Sequence, residues 1–528
     1  MEIPKVSPEE KSPLVVQLLE IIEQQSVIIQ RLVEEVQILR DEIARLKNQK
    51  PKPKIPPSKL EKDPQKKKEG EPDGKRPGSV KKNKTENLII HETIPIAPEG
   101  IPPGSLFKGY QPYTVQGLHI ELHNIRYQLE CWKTPDGNYL QGQLPPEVQG
   151  HFSLELKRFT LYQYYQCHVT QPLILEQLLE WGVQISSGEL SHLLIEDKEL
   201  FHKEKGALLG AGLQVSGYIN VDDTGARHDG KNGYCTHIGN EFFAWFESTN
   251  SKSRINFLEI LRAGHKDYVI NPEALEYMEQ QRLPQSWLST LAAHDQKVFA
   301  DLSAWQSHWQ GLAIVNHRPI KIATEGALLG SVLHHGVPKD LGVVSDDAGQ
   351  FNILQHGLCW VHADRTLNKL MPPDEEKSKI LESIRDQIWK FYHQLKEYKK
   401  SPTPEFKSQL EKRFDEIFTQ KTDYQMLNLA LKRLYENKEG LLLVLDRPEI
   451  PLHNNLSEND IREYVKKRKI SGSTRSDAGR RARDTFTSLK KTCRKLGVSF
   501  WDYLQDRLSP KNIIAPLPEL ILKCAKAP

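Results

Sequence analysis

Two short apolar segments that each end in a pair of aspartates constrain the fold of this chain more than any other feature. The pairs are Asp222 and Asp223, after GYINV, and Asp346 and Asp347, after LGVVS. Such apolar runs predict buried β-strands that open onto carboxylates at a sheet edge. Side chains alternate along a strand, so only one member of each pair is expected to face a common site, and the sequence leaves open which one.

A third acid lies in the segment HNNLSENDIREYVKKRK, where Asn454, Asn455 or Ser457 can cap a helix whose first turn holds Glu458. A single acid at a strand end is more often a turn residue or a helix cap, so only the combination of the two aspartate pairs with Glu458 indicates a site. Two carboxylates from neighbouring strands and a third from a helix can hold two Mg²⁺ or Mn²⁺ ions ~4 Å apart, an arrangement that catalyses phosphoryl transfer. The six cysteines are scattered and form no Cys-x-x-Cys pair, so no zinc is expected.

The segment that follows Glu458 is strongly basic, because residues 462–495 contain 13 Lys or Arg and only 3 acids. A basic helix that leaves a carboxylate site can hold the phosphate backbone of DNA against that site. The alternative is a basic helix face that is merely solvated. The residues predicted to contact DNA in this segment are Arg462, Lys466, Lys469, Arg480 and Arg481.

The N-terminal segment repeats with a period of seven residues. One heptad position holds β-branched residues and the position three residues later holds mainly Leu; the β-branched residues are Val15, Ile22, Ile29, Val36 and Ile43. This pattern favours a parallel two-stranded coiled coil over 1–48, and therefore a homodimer or a higher assembly. The alternative is one amphipathic helix that packs on its own domain.

A basic, proline-rich segment follows: residues 47–84 hold 14 Lys or Arg, 5 acids and seven Pro. This composition predicts a disordered basic linker, placed at 49–88, because the segment has too little apolar surface to bury. Its charge favours contacts with phosphate, and the linker residues predicted to bind DNA are Lys66, Lys67 and Lys68. Residues 454–528 are basic as well, with 17 basic and 8 acidic residues. The net charge of +3 is therefore a cancellation and excludes no nucleic-acid partner.

Two small regions lie between the linker and the first aspartate pair. Alternation over 107–144, with a turn at 135–138, predicts a β-rich domain placed at 89–150. Residues 151–210 are predicted to be helical. Two short amphipathic helices around Gly182, the second capped by Ser186 or Ser187, outline either a DNA-binding helix-turn-helix or a plain αα-hairpin.

The aspartate strands and the Glu458 helix predict an α/β catalytic core with helical segments between the acids. The core is placed at 211–371 and 441–500, with a helical addition at 254–335, a helical insertion at 372–440 and a C-terminal tail at 501–528. The aromatic residues of the insertion are interpreted as core residues and not as residues that stack on DNA. They are Trp389, Phe391 and Tyr392.

Four sections of the sequence resemble the catalytic sections of bacterial DDE transposases, and most of all those of the TnpC transposases of the insertion-sequence sixty-six family. These sections are VDDTGAR, SDDAGQF, CWVHADR and NNLSENDIR, in that order. The resemblance implies an RNase H-like (retroviral-integrase-like) fold and two Mg²⁺ (or Mn²⁺) ions per site. It also implies that the catalytic, metal-binding triad is Asp222, Asp346 and Glu458.

The resemblance also includes the N-terminal heptads, and the CWVHADR section can be compared residue by residue. Cys359, Trp360 and His362 match the family's strand after the second acid, and we interpret them as structural or supporting residues, not as metal ligands. Many family members carry a Cys-rich zinc-binding section before the helical region. This chain has only Cys131 there, so the zinc site is not carried over.

The resemblance implies a DNA transposase that binds the terminal inverted repeats of a transposon, nicks them with a water molecule and joins the freed 3′-hydroxyl to target DNA. The implied partners are double-stranded DNA, a second protomer and accessory transposition proteins. Two alternatives are a catalytically idle DNA-binding derivative and an RNase H-like nuclease. No apolar leader and no run of ~18 apolar residues is found, which predicts a bacterial cytoplasmic protein that associates with the nucleoid and no membrane partner.

Overall fold

The structure, a computed structural model, describes residue 25 and residues 88–146, 148, 150–312, 316–509 and 512–525. The coiled coil predicted over 1–48 and the basic linker predicted over 49–88, with Lys66, Lys67 and Lys68, lie almost entirely outside the described residues. Beyond residue 25, the described residues fall into two compact units, one within Glu61–Glu196 and one within Asp197–Pro528.

The first unit contains one β-hairpin. Strands β1 (Cys131–Lys133) and β2 (Tyr139–Gln141) pair antiparallel, and Gly137 with a φ of +91° makes the turn that the sequence predicted. The alternation elsewhere in 107–144 predicted further strands, and that prediction was wrong. The described residues there outside the hairpin form no strand, and Tyr113 and Leu118 are exposed, because the apolar positions find no partner strand.

The helices of this unit are α1 (Leu154–Leu161), α2 (Gln171–Glu180) and α3 (Ser187–Ile195), with a π-helical turn Tyr162–Gln166 after α1. The predicted helix pair around Gly182 is confirmed. Ser186 caps α3 by accepting a hydrogen bond from the Glu189 amide at 3.1 Å, and Tyr165 donates to the Leu194 carbonyl at 2.9 Å. A role of this pair in DNA binding stays a prediction.

The second unit contains the strands β3 to β9, which form two sheets. They are β3 (Tyr218–Gly225), β4 (Tyr234–Gly239), β5 (Ala244–Thr249), β6 (Tyr268–Val269), β7 (Val298–Phe299), β8 (Gly342–Ser345) and β9 (Gln355–Leu358). Five of them form one mixed sheet in the order β5-β4-β3-β8-β9, and β6 and β7 form a separate pair. The pattern of residues 217–248 predicts three short antiparallel strands, with turns at GARHDGKNG and at Gly239-Asn240. Strands β3, β4 and β5 confirm this prediction, and β8 and β9 run parallel to β3.

Fifteen described helices surround these strands. They are α4 (Glu199–Val215), α5 (Arg254–Leu261), α6 (Pro272–Gln280), α7 (Gln285–Ala293), α8 (Leu302–Gly311), α9 (His317–His334), α10 (Trp360–Asn368), α11 (Glu375–Lys400), α12 (Pro404–Phe418), α13 (Gln425–Glu436), α14 (Lys438–Leu442), α15 (Asn455–Ser471), α16 (Asp477–Lys495), α17 (Phe500–Leu508) and α18 (Leu517–Cys524). None of the described helices is long and apolar enough to cross a lipid bilayer.

Helix α16 covers the free edge of β5. Polar side chains spaced four residues apart on α16 accept hydrogen bonds from alternate amides of the strand. Asp484 accepts from Ser248 N at 2.7 Å, Ser488 from Phe246 N at 2.9 Å and Thr492 from Ala244 N at 3.2 Å. Residues four apart on the helix are spaced nearly like residues two apart on the strand, so each helix side chain meets one strand amide. The hydrogen bonds of the edge strand are therefore satisfied, and the edge is shielded from other chains.

The helical segments predicted between the acids are confirmed as helices. The addition holds α5 to α9 with the β6–β7 pair, and the insertion holds α11 to α13 and the first residues of α14. Phe391 and Tyr392 are buried in the core of the insertion and Trp389 packs partly buried against it. The predicted C-terminal tail also contains helices, and α18 packs on α4. The buried Glu204 carboxylate of α4 accepts a hydrogen bond from the Leu517 amide of α18 at 2.8 Å and pairs with Arg507 Nε of α17 at 2.8 Å.

Candidate active site

The two aspartate pairs lie on adjacent strands of the sheet. Asp346 and Asp347 directly follow β8, whereas β3 continues through Asp222 and Asp223 to Gly225 and does not end at its aspartates as the sequence predicted. Strand β3 pairs parallel with β8, and Asn220 lies opposite Val344. Asp222 and Asp346 each follow two residues beyond this pair, so equal spacing carries both to the same edge of the sheet. The electrostatics agree: burial first, and then the negative charge of Asp346, raises the pKa of Asp222 to about 7.

The two members of the first pair have different surroundings. The charge of Glu458 raises the pKa of Asp222. The Asp223 side chain is instead held by hydrogen bonds from the neighbouring strand and a loop. The Asp223 carboxylate accepts hydrogen bonds from Thr236 Oγ1 at 2.5 Å and Gln350 Nε2 at 3.0 Å. The side chain that shares its surroundings with Glu458 is therefore Asp222.

The second pair is separated in the same way. Asp346 Oδ1 accepts from the Ala348 amide at 3.1 Å, and its charge acts on Asp222, Asp223 and His362. Asp347 instead binds Arg433 of α13 at 2.7 Å, and its side chain is 45% exposed. Asp347 is therefore paired with the helical insertion, while the charge of Asp346 acts on the other acids.

Helix α15 is fastened to the sheet by its first residues. Asn454 Nδ2 donates to the Val221 carbonyl at 2.7 Å, and Asn454 Oδ1 accepts from Asn220 Nδ2 at 2.8 Å. Ser457 Oγ lies 2.6 Å from Nδ1 of the buried His237 on β4. The sequence predicted a helix cap here, and Asn454 does occupy the N-cap position, but its side chain bridges to β3 and makes no capping hydrogen bond.

Glu458 stands one helical position beyond these anchors and is paired with arginine. Arg365 of α10 donates from Nη1 to Glu458 Oε1 at 2.9 Å and from Nη2 to Oε2 at 3.4 Å, and the Glu458 side chain is 16% exposed. His362 Nε2 lies 3.7 Å from Oε1, and Arg462 lies 3.9 Å from Oε2. No sequence pattern predicted a role for Arg365, although it is the last residue of the CWVHADR section.

The other residues of that section hold the structure together. The sequence placed Cys359, Trp360 and His362 in a strand, but the strand β9 ends at Leu358, Cys359 is the N-cap of α10, and the other two residues lie in the helix. Cys359 Sγ accepts from the Asn454 amide at 3.2 Å, and the fully buried Trp360 donates from Nε1 to the Leu441 carbonyl at 2.9 Å. His362 alone of the three adjoins Glu458.

A buried polar network supports α15 from behind. Asp460 Oδ2 lies 2.9 Å from Lys495 Nζ and 3.3 Å from His237 Nε2. Burial alone would raise the pKa of Asp460, but His237 and Lys495 hold it well below its usual value. Burial lowers the pKa of His237, so this imidazole is neutral at neutral pH. The network keeps a carboxylate charged beneath the helix that carries Glu458.

The basic residues predicted to bind DNA fall into two groups. Arg462, Lys466 and Lys469 are exposed on α15, whereas their neighbour Lys467 is buried, and burial lowers its pKa to about 7. Arg480 and Arg481 border a cavity of about 700 Å³ next to α4. There Arg480 pairs with Asp477 at 2.9 Å and Arg481 with Glu199 at 3.1 Å, whereas Arg462 of the first group lies beside Glu458.

The donor set of this site fits a hard divalent cation. Asp222, Asp346 and Glu458 offer only carboxylate oxygens, and they are close enough for the last two to raise the pKa of the first. A cluster of negative charge in a partly buried site is stabilised when a cation binds, and oxygen ligands suit Mg²⁺ and Mn²⁺.

Comparison with known proteins identifies the family of this chain. The model of the transposase IS66 family matches residues 343–482, which contain Asp346, Arg365 and Glu458. The uncharacterized protein y4jO of Sinorhizobium fredii (strain NBRC 101917 / NGR234) is 45% identical over 317 residues, which cover 60% of this chain and 99% of that protein. The chain therefore belongs to the IS66 family of transposases.

Proposed function

We propose that this transposase acts by the DDE mechanism on an RNase H-like core, with Asp222, Asp346 and Glu458 as its catalytic, metal-binding residues. One observation carries the proposal: the parallel register of β3 and β8 brings two aspartates 124 positions apart to one sheet edge, where Glu458 shares their electrostatic surroundings. The sheet order supports the fold, because an antiparallel trio is followed by two strands parallel to its first member.

The three carboxylates would hold two Mg²⁺ or Mn²⁺ ions, which when bound supply an activated oxygen nucleophile and stabilise the leaving oxygen of an in-line displacement. Asp222 and Asp346 approach from the strands and Glu458 from the helix. Asn454 and Ser457 fix the helix on the sheet, so the position of Glu458 follows from the fold and not from a mobile loop. The substrates are a phosphodiester at the transposon end with water, and then target DNA with the freed 3′-hydroxyl.

The exposed basic face of α15 would hold the DNA backbone beside the acids. Arg462, Lys466 and Lys469 point away from the buried side of the helix, where Tyr464 and Lys467 pack. Arg480 and Arg481 are already paired with acids, so they would contribute to DNA binding only after they exchange those partners. The linker residues Lys66, Lys67 and Lys68 are proposed to add contacts that do not depend on sequence.

The remaining domain assignments follow from the same proposal. The N-terminal heptads would join protomers so that two transposon ends are held together, and accessory transposition proteins would complete the assembly. The helix pair α2–α3 is the candidate for recognition of the inverted repeats. Because DNA is the substrate, the protein would act at the bacterial nucleoid.

Strand cleavage tests the proposal. Full-length protein is incubated with labelled terminal inverted repeats and Mg²⁺, and wild type is compared with Asp346→Asn and with the matched control Asp347→Asn. We expect cleavage by wild type and by Asp347→Asn, and none by Asp346→Asn. Metal-dependent cleavage that survives Asp346→Asn would reject the triad.

Two other results would replace the proposed function. Binding to the repeats without cleavage by wild type, with the accessory proteins of the element present, would favour a catalytically idle DNA-binding protein. Cleavage of RNA–DNA hybrids or branched DNA in preference to transposon ends would favour an RNase H-like nuclease.

A further inference from the structure

A second cluster of ligand-bearing side chains lies in the helical addition, apart from the three acids. His265 and Asp267 are in the turn between α5 and β6, and His335 directly follows the last residue of α9. Ala263 and Gly264 both adopt positive φ values, +52° and +97°, and this reversal of the chain brings His265 back onto the end of α9.

The three side chains meet closely. His335 Nε2 lies 2.9 and 3.0 Å from the two carboxylate oxygens of Asp267, and Ser331 Oγ donates to Asp267 Oδ1 at 2.9 Å. The rings of His265 and His335 stack with centroids 3.4 Å apart and an angle of 7° between their planes. One ligand atom from each of His265, Asp267 and His335 lies within 4.8 Å of the other two.

We propose that His265, Asp267 and His335 form a binding site for a divalent transition-metal ion of the Zn²⁺ class. Two imidazole nitrogens with one carboxylate oxygen are a ligand set that Zn²⁺ takes at ~2.0–2.2 Å, with a fourth position left for water. Such ligands select borderline metals over Mg²⁺, so this ion differs in kind from those of the proposed catalytic site. The scattered cysteines predicted no zinc, whereas His265 and His335, which lie 70 positions apart in sequence, meet only in the folded chain.

The site would fasten the helical addition to itself. It joins the turn after α5 to the C-terminal end of α9, and α9 leads into β8, the strand that directly precedes Asp346. A metal that bridges two distant segments binds the folded chain and not the unfolded one, so it stabilises the fold by mass action.

Titration with Zn²⁺ alone tests the site in full-length protein that carries Asp222→Asn and Asp346→Asn, so that the three acids contribute little binding. In this background we compare the unchanged cluster with His265→Ala, His335→Ala and the matched control His334→Ala. His334 is exposed, neighbours His335 at a ring distance of 5.2 Å and does not belong to the cluster. Affinity is measured by calorimetry, and the thermal unfolding midpoint is recorded with and without Zn²⁺.

We expect one Zn²⁺ per chain that raises the unfolding midpoint, with affinity lowered at least about tenfold by His265→Ala or His335→Ala and unchanged by His334→Ala. Co²⁺ in place of Zn²⁺ should give visible d–d bands without a thiolate charge-transfer band. Equal affinity in all variants, or a thiolate band from the exposed Cys131, Cys167 or Cys524, would overturn the proposal. Because His265 is exposed, its removal tests the ligand role even if His335→Ala unfolds the chain.

Discussion

Arg365 donates hydrogen bonds to both carboxylate oxygens of Glu458, at 2.9 and 3.4 Å. The pair joins helix α10, which follows the second acidic strand and its parallel neighbour, to helix α15, which carries the third acid. A guanidinium at this position partly neutralises the cluster of carboxylates. It also competes with any cation that these carboxylates bind, because both are attracted to the same oxygens.

Replacement of Arg365 by Gln is expected to strengthen Mg²⁺ binding at the proposed catalytic site, by about threefold to tenfold, because a competing positive charge is removed. The half-saturating Mg²⁺ concentration, measured by calorimetry, should fall. The control is Arg433→Gln, which removes the partner of Asp347 and should leave Mg²⁺ affinity unchanged. Weaker binding in Arg365→Gln would show instead that Arg365 mainly orients Glu458.

Replacement of Asn454 by Ala is expected to lower the free energy of unfolding by about 2 to 4 kcal/mol, because the Val221 carbonyl and the Asn220 amide group lose their partner in a buried site. Urea unfolding measures the change. The adjacent Asn455 is only half-buried, so Asn455→Ala should cost much less. Similar losses from both variants would contradict the anchoring role assigned to Asn454.

Replacement of Gly330 by Ala is expected to destabilise the protein by about 1 to 3 kcal/mol. A Cβ on this α9 residue would overlap the Val269 carbonyl oxygen and lie 2.9 Å from Asn271 Oδ1, and backbone cannot move aside cheaply. Gly206 on α4 has no atom within 4 Å of an added Cβ. Gly206→Ala should therefore stabilise the protein by about 0.5 to 1 kcal/mol through helix propensity, and thermal unfolding of both variants compares the two effects.

The free energy of unfolding is expected to decrease as the pH is lowered, partly because of His202. Burial, with the nearby Arg481, lowers its pKa from 6.5 to about 4, and Nδ1 lies 2.8 Å from Thr485 Oγ1. Between these two pKa values the unfolded chain takes up a proton that the folded chain refuses, so stability present above pH 6.5 is lost as the pH falls towards 4.

The variant His202→Gln isolates this contribution. Urea unfolding of wild type and variant at about pH 7.5 and about pH 5 should show the smaller loss in the variant, because Gln has no proton to gain. An equal loss in both proteins would mean that the imidazole is protonated in the folded state as easily as in the unfolded one.

Replacement of Lys466 by Gln is expected to weaken DNA binding uniformly across sequences and to reduce the slope of log affinity against log salt by about one. Lys466 is exposed on the same helix face as Arg462, eight residues beyond Glu458. The exposed Lys412 of the helical insertion supplies the control, since Lys412→Gln should leave the slope unchanged. An unaltered slope in Lys466→Gln would remove α15 from the proposed DNA interface.

Local patterns predicted the local structure well where both partners of an interaction are close in sequence. The strands from Tyr218 to Thr249, the helix pair around Gly182 and the turn at 135–138 all match the structure, because turn residues and hydrophobic periodicity act over a few residues. The strands predicted around Val115 failed, since alternation states only which face a strand would bury and not whether a partner strand exists. Nothing local marked Arg365 as a partner of Glu458.

The residue types and their local pattern indicated acids after two apolar segments, an acid in the first turn of a helix and a basic segment beyond it. The fold added that Asp222 and Asp346 lie two residues beyond one register pair of β3 and β8, that Arg365 binds Glu458, and that His265 stacks on His335. Arg365 and Glu458 lie 93 positions apart, and His265 and His335 lie 70 apart, so these contacts depend on strand register and helix packing. Sequence periodicity alone does not carry that information.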